Sequence, residues 1–231
     1  MKQNKLIISG RFFWPLLILV NFMLLPVASA ADKSFVLAVP FTAQAPTAEW
    51  KDIRQQDGCE EAAALMAFAW VKGEGIKKGA EISKKEWRKK IITLSDFEKK
   101  KYGEFRDVAL KDMVNWIFKD YFKYSKVSVK PVTSAADIIK ELEKGNIVLT
   151  PMNGQALKNP YFTSPGPERH MILIKGYDYS KQQFITNDPG TRRGENYRYS
   201  SKILFNAIRA YSTGDKVPIK KVVKEMIVVE N

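Results

Sequence analysis

The sequence predicts an α+β domain. Helix-forming stretches dominate its first half, apolar strand-like runs bounded by Gly, Pro and Asn dominate its second, and no strand–helix–strand unit recurs along it. With 45% hydrophobic and 27% charged residues, the chain is too apolar to stay unfolded and long enough at 231 residues for one sizeable core. Disordered, collagenous and polytopic membrane classes are excluded. One cysteine and one histidine allow neither an intrachain disulfide nor a Cys/His zinc site, so neither metal nor cofactor is expected.

At the N-terminus, Lys2, Lys5 and Arg11 precede an apolar run from Phe12 to Leu25, followed by Pro26 and the small residues Ala28-Ser29-Ala30. Fourteen residues interrupted by Pro15 and Asn21 fall short of the roughly 20 that span a bilayer, so residues 1–30 read as a secretory signal peptide cleaved after Ala30. An uncleaved membrane anchor is the alternative; both readings export residues 31–231 as a single domain to a periplasmic, cell-wall or secreted location. Of the net +13 charge, the signal carries three basic residues and no acidic one, leaving +10 on the mature domain. That excess favours an anionic cell-envelope surface. Nucleic acid is not expected as a partner, because no binding module is recognisable and most lysine pairs fit solvated helix faces.

Phe35 to Val39, closed by Pro40, reads as a first strand, and residues 42–58 as a loop containing Gln44, Trp50, Gln55 and Gln56. From Cys59 to Trp70 the chain is rich in helix formers and apolar on most sides, which predicts a buried central helix with Cys59 in its first turn, capped by Asp57 or Gly58. Residues 72–106 read as lysine-rich surface helices, and Val108, Leu110, Met113, Val114, Ile117, Phe118 and Tyr121 recur at α-helical spacing. Val127 to Val132 and Ile147 to Met152 read as strands around a helix opened by a Ser134–Asp137 capping box and stopped by Gly145. The Pro- and Gly-rich stretch 153–169 reads as irregular. His170 to Asp178 and Gln182 to Asp188 read as a hairpin turning near Tyr179. Tyr197 to Tyr199, a helix from Ser200 to Arg209 and a strand from Lys221 to Val229 complete the chain.

A cysteine at a helix start sits where free N–H groups and the helix dipole favour a thiolate, and the same N–H groups can hold an oxyanion. Alone, such a cysteine is more often a small buried hydrophobe, and a lone histidine more often a packed one. Spacing makes the pair more informative. A hairpin centred on Tyr179 places His170 opposite Asp188 on one face, where a carboxylate orients an imidazole as a general base. A one-residue bulge would place Asn187 there instead. The Cys59 sulfur is then expected within roughly 4 Å of an imidazole nitrogen.

These residues resemble a known family: the exported and transporter-linked cysteine peptidases related to the double-glycine leader peptidases that process bacteriocin precursors. The matching segments are Val39-Pro40-Phe41 with Gln44, Asp57-Gly58-Cys59-Glu60 with Ala62-Ala63 and Leu65-Met66, His170 to Asp178, and Asn187-Asp188-Pro189-Gly190. The resemblance implies a papain-like fold, with N-terminal helices and a central nucleophile helix packed on an antiparallel sheet. It also implies Cys59 as nucleophile, His170 as base, Asp188 as orienting acid and an upstream glutamine as oxyanion donor. Gln44 follows Val-Pro-Phe and is the first choice; Gln55 and Gln56 lie nearer the cysteine and stay open. Two features depart from the pattern: Glu60 stands where close relatives usually have Gly, and the segment between Gln44 and Cys59 is long. No ATPase or transporter segment is read in the 231 residues, so the resemblance is to a stand-alone exported type.

The expected function is an exported thiol hydrolase, a cysteine peptidase acting on a peptide or protein through a thioester at Cys59. A transpeptidase or other acyltransferase would use the same residues, and a non-catalytic cell-envelope or peptide-binding domain would use the fold alone. Arg192 and Arg193, and Asn153-Gly154 with Asn159-Pro160-Tyr161-Phe162, lie in loops adjoining the expected site and could bind a substrate carboxylate, form its pocket walls or serve as scaffold.

Overall fold

The computed structural model describes residues 34–77 and 79–231. The expected signal segment, residues 1–30, lies outside them. The core is an antiparallel sheet formed by β2 (Val127–Pro131), β7 (Glu225–Val229), β3 (Ile147–Met152), β4 (His170–Asp178), β5 (Gln183–Asn187) and β6 (Tyr197–Ser200), in that spatial order. A two-residue strand, β1 (Phe35–Val36), adds to β4.

The sheet is buried on both faces, which explains why its central strands read as nearly continuous apolar runs. Successive residues of a strand point to opposite faces. Ile147, Leu149, Met171, Leu173, Ile227 and Val229 enter one core with α2 (Cys59–Lys72), α3 (Lys84–Tyr102) and the helix through Tyr121. Val148, Ile172, Ile174, Met226 and Val228 enter a second core with α5 (Ala135–Glu143) and α7 (Ser201–Ala207). Mixed helix and antiparallel sheet bears out the α+β reading. The later helices form a second layer on the far side of the sheet.

Central burial of α2 follows from its composition. Ala62, Ala63, Ala64 and Ala67 are fully buried, and their small side chains let the helix backbone approach α3 and β4 closely on all sides. The helix ends at Gly73 in the left-handed conformation. At its start the chain turns at Gly58, where a Cβ would lie 2.4 Å from the Arg54 carbonyl oxygen at the end of α1 (Ile53–Gln56). Asp57 closes α1 and does not cap α2, and Gly58 supplies no side-chain cap.

Several boundaries differ from the sequence reading. The lysine-rich stretch forms one long helix, α3, capped by Ser83 and stopped by Gly103. The predicted α-helix through Tyr121 starts as α4 (Leu110–Asp112) and continues as a π-helix, Met113–Tyr121. Met113, Val114, Ile117 and Phe118 still face the core, because residues four apart share a face in either kind of helix. Trp116 stacks on Tyr102 at 4.3 Å, and Phe122, just past the end of the π-helix, stacks on Phe68 at 4.2 Å. Stretch 153–169 is not wholly irregular. Asn153 accepts bonds from the Gln155 and Ala156 N–H groups and starts a short helix, α6 (Gly154–Leu157). The first and last strands are shorter than read, and α7 stops at Ala207 rather than Arg209. The Ser134–Asp137 capping box and the Gly145 stop are present as expected.

Candidate active site

The hairpin arithmetic requires correction. The β4–β5 ladder pairs Leu173 with Asn187 and Ile174 with Thr186, then shifts by one residue at a bulge before Gly176. Extended to the open end, that register sets His170 against Gly190, not Asp188. A Cβ on Gly190 would indeed lie 2.8 Å from the His170 ring, so the close approach there requires glycine. Asp188 follows the last residue of β5 and belongs to a tight turn in which its N–H bonds to the Gly194 carbonyl. That turn directs its carboxylate back to the ring.

His170 Nε2 lies 2.7 Å from Asp188 Oδ1. The same oxygen accepts the Gly190 N–H at 2.9 Å, while Oδ2 accepts the Tyr199 hydroxyl at 2.5 Å and the Asn159 amide at 3.3 Å. Burial alone would raise the Asp188 pKa. The facing imidazole and these donors outweigh it and hold the carboxyl below its ordinary value. Asp188 is therefore an anion at neutral pH, and it fixes a proton on Nε2, leaving Nδ1 as the basic ring nitrogen. Phe162 meets the ring edge-on at 5.3 Å. Asn187, the alternative orienting group, instead donates to the Val39 and Pro40 carbonyls and ties the N-terminal segment to the sheet.

Cys59 opens α2, which packs on β4, and the Met171 N–H, one residue past His170, faces its sulfur. Cys59, His170, Gly190 and Gln44 line one cleft of about 840 Å³, with Arg192 and Arg193 on its wall. The hydrogen bond that the thiol makes runs not to the imidazole but to Glu60, with Sγ 3.0 Å from Oε2. Burial, and after it the Glu60 charge, push the thiol pKa well up. The thiolate that a helix start should favour is overridden in this arrangement by burial and by the neighbouring carboxylate.

Gln44 reaches the cleft because its N–H bonds to the Pro189 carbonyl, beside the Asp188 turn. Its side-chain amide donates to the Gln55 and Gln56 carbonyls at 3.1 and 2.5 Å, which engages both amide hydrogens. Gln55 is buried and turns its amide to Glu49, whereas Gln56 lines the cleft. Asn159, read from the sequence in a loop adjoining the site, donates to Asp188 and to Tyr199; Tyr199 and Tyr211 have no sequence signal as site residues. They are isolated in the sequence, and only the fold brings them to Asp188 or Glu60. Among the described residues, no three His, Cys, Asp or Glu side chains converge as a metal ion would require.

The profile of the Peptidase_C39 like family matches residues 36–214, more than three quarters of the chain. The chain belongs to that family. No curated protein matches it. Among solved structures it is similar to a proposed C39-like peptidase from Bacillus anthracis, at 15% identity and a TM-score of 0.51, over 87% of this chain and 99% of that one. That likeness supports the fold. The family membership bears out the resemblance read in the segments from Val39 to Gly190 and supports a peptidase.

Proposed function

We propose that this C39-like protein is a cysteine peptidase that forms a thioester at Cys59. The observation that carries the reading is the His170–Asp188 pair, joined at 2.7 Å through Nε2, on the cleft that also holds Cys59. With Nε2 engaged, Nδ1 takes the thiol proton and Sγ attacks the carbonyl carbon of the scissile bond. The oxyanion is held by the uncapped N–H groups at the start of α2, joined by the Gln44 amide once it leaves a carbonyl of the α1 turn. Collapse breaks the C–N bond, and the imidazolium proton leaves on the amine. Water, activated by the same Nδ1, then cleaves the thioester, releases the acid and restores the thiol.

In this reading residues 31–231 act outside the cytoplasm after removal of residues 1–30, and the basic surface favours an anionic envelope. Arg192 and Arg193 give the cleft an affinity for substrate carboxylates, with the Arg193 guanidinium 4.8 Å from the Tyr161 ring centre. Transfer to an amine rather than water would use the same residues.

A peptide library incubated with the protein and with Cys59→Ala tests the reading. Cleavage by the first and none by the second is expected. Cleavage that survives Cys59→Ala on a confirmed substrate overturns it, and ligated rather than hydrolysed products would indicate acyl transfer.

A further inference from the structure

Glu60 is 1% exposed, lies directly beside Cys59 and takes no part in the steps above. Its Oε2 accepts the Cys59 thiol at 3.0 Å, and its Oε1 accepts the hydroxyl of buried Tyr211 at 2.7 Å. The nucleophilic sulfur thus stands between two acid–base systems: His170–Asp188 at the start of β4, and Glu60–Tyr211 inside the core. In the structure it is bonded to the second.

Resting on the reading of Cys59 as nucleophile, we propose that Glu60 gates the thiol. As a carboxylate it keeps Sγ protonated and turned from His170; as a carboxylic acid it frees the thiol proton to pass to His170 Nδ1 and donates its own hydrogen bond to the resulting thiolate. The proton transferred is the thiol's alone, and Glu60 keeps its proton throughout the acidic form.

The titratable groups near Glu60 come from several elements. Cys59 and Glu61 flank it on α2, Tyr211 reaches it from the segment after α7, Asp107 from the turn before α4, and Glu98 from α3. Burial raises the Glu60 pKa and the Asp107 charge adds to that, while the Tyr211 and Cys59 hydrogen bonds oppose it; the balance lies at about 7. Above that value an anion sits against the sulfur and disfavours a second negative charge there. Below it the obstacle is gone.

The chain has one cysteine, so alkylation by iodoacetamide reports on Cys59 alone. In the full chain, the alkylation rate should fall as pH rises through about 7, whereas that of a free thiol rises throughout. Glu60→Gln should remove the fall, reacting about tenfold faster than the parent near pH 8.5 and about equally near pH 5.5. Tyr211→Phe, which removes a donor that stabilises the carboxylate, should move the fall to higher pH. A monotonic rise in the parent protein, or a Glu60→Gln to parent ratio that is constant across the range, overturns the gate. If Glu60→Gln does not fold, the parent profile and Tyr211→Phe still decide. If the gate fails while Cys59 is alkylated and Cys59→Ala is inactive, the nucleophile reading stands. A Cys59 that reacts at no pH in any of the proteins removes both.

Discussion

Asp188 shows how much of the candidate chemistry rests on single atoms. Its two oxygens take four hydrogen bonds, from His170, Gly190, Tyr199 and Asn159. Asp188→Asn can keep a bond to Nε2 but presents an amide to the Tyr199 and Asn159 donors, so the ring is held less firmly and without its counter-charge. Cys59→Ala and His170→Ala should each abolish turnover, because nucleophile and base act as a unit, while Asp188→Asn should retain about 10²-fold more activity than either. Steady-state rates on one peptide substrate measure that order. Gln44→Ala should lower kcat by about 10²-fold, the usual loss for one oxyanion donor. Should Gln44→Ala be silent and Gln56→Ala inactive, the donor is Gln56, whose side chain shares the cleft.

At the scale of elements, the site depends on a chain reversal that tolerates no extra carbon. Gly58 lets α1 run into α2 so that Cys59 is the first residue of the central helix, and a methyl group there meets the Arg54 carbonyl. Gly58→Ala should reduce stability by about 1–3 kcal/mol in urea unfolding, since backbone must move. It should also slow Cys59 alkylation, because the same movement shifts the helix start away from β4. Unchanged stability with unchanged reactivity would show that the α1–α2 junction is less tightly packed than its geometry implies. In the sheet, Asp178 pairs with Gln183, so the hairpin turns between Ser180 and Lys181 rather than at Tyr179, and the Asp188 turn, rather than a ladder pair, meets His170.

The whole molecule carries an internal acid cluster that makes its stability depend on pH in an unusual direction. Glu61 and Glu98 face one another between α2 and α3. Without a proton between them, Glu61 Oε2 and both Glu98 oxygens would have no donor. Burial, and then the neighbouring carboxylates, push both pKa values well up, and Glu60 is pushed to about 7. Above the ordinary carboxylate value the native state therefore holds more protons than the unfolded chain, so stability declines as pH rises from about 4.5. In the opposite sense Glu104, bound to Arg106, and Glu141, bound to Lys144 and Lys130, overcome their burial and lie at about 2; their contribution is lost as pH falls from about 4.5 toward 2. Thermal melts should show a maximum near pH 5 and a lower Tm at pH 8. Glu98→Gln should flatten the alkaline decline. An equal slope in that variant would assign the decline to other groups.

What the sequence by itself determined was local and periodic. Helix formers around Cys59, apolar runs from Ile147 and His170, and the Ser134 and Gly145 signals state element type directly, because caps and burial faces act within a few residues. The single cysteine and single histidine left one candidate pair, while Asp188 as their acid came from the hairpin spacing and from the family resemblance. Tertiary structure decided the rest. That residues 113–121 wind as a π-helix, with Trp116 stacked on Tyr102 of α3, is something no spacing within the segment records. That Asp188 meets His170 despite a register that pairs the ring with Gly190 depends on where the hairpin turns and on the tight turn that follows β5, both outside the paired residues. That the thiol rests on Glu60, and Glu60 on a tyrosine 151 residues away, is a consequence of burial, which strengthens every charge in the core and is a property of the packed molecule alone.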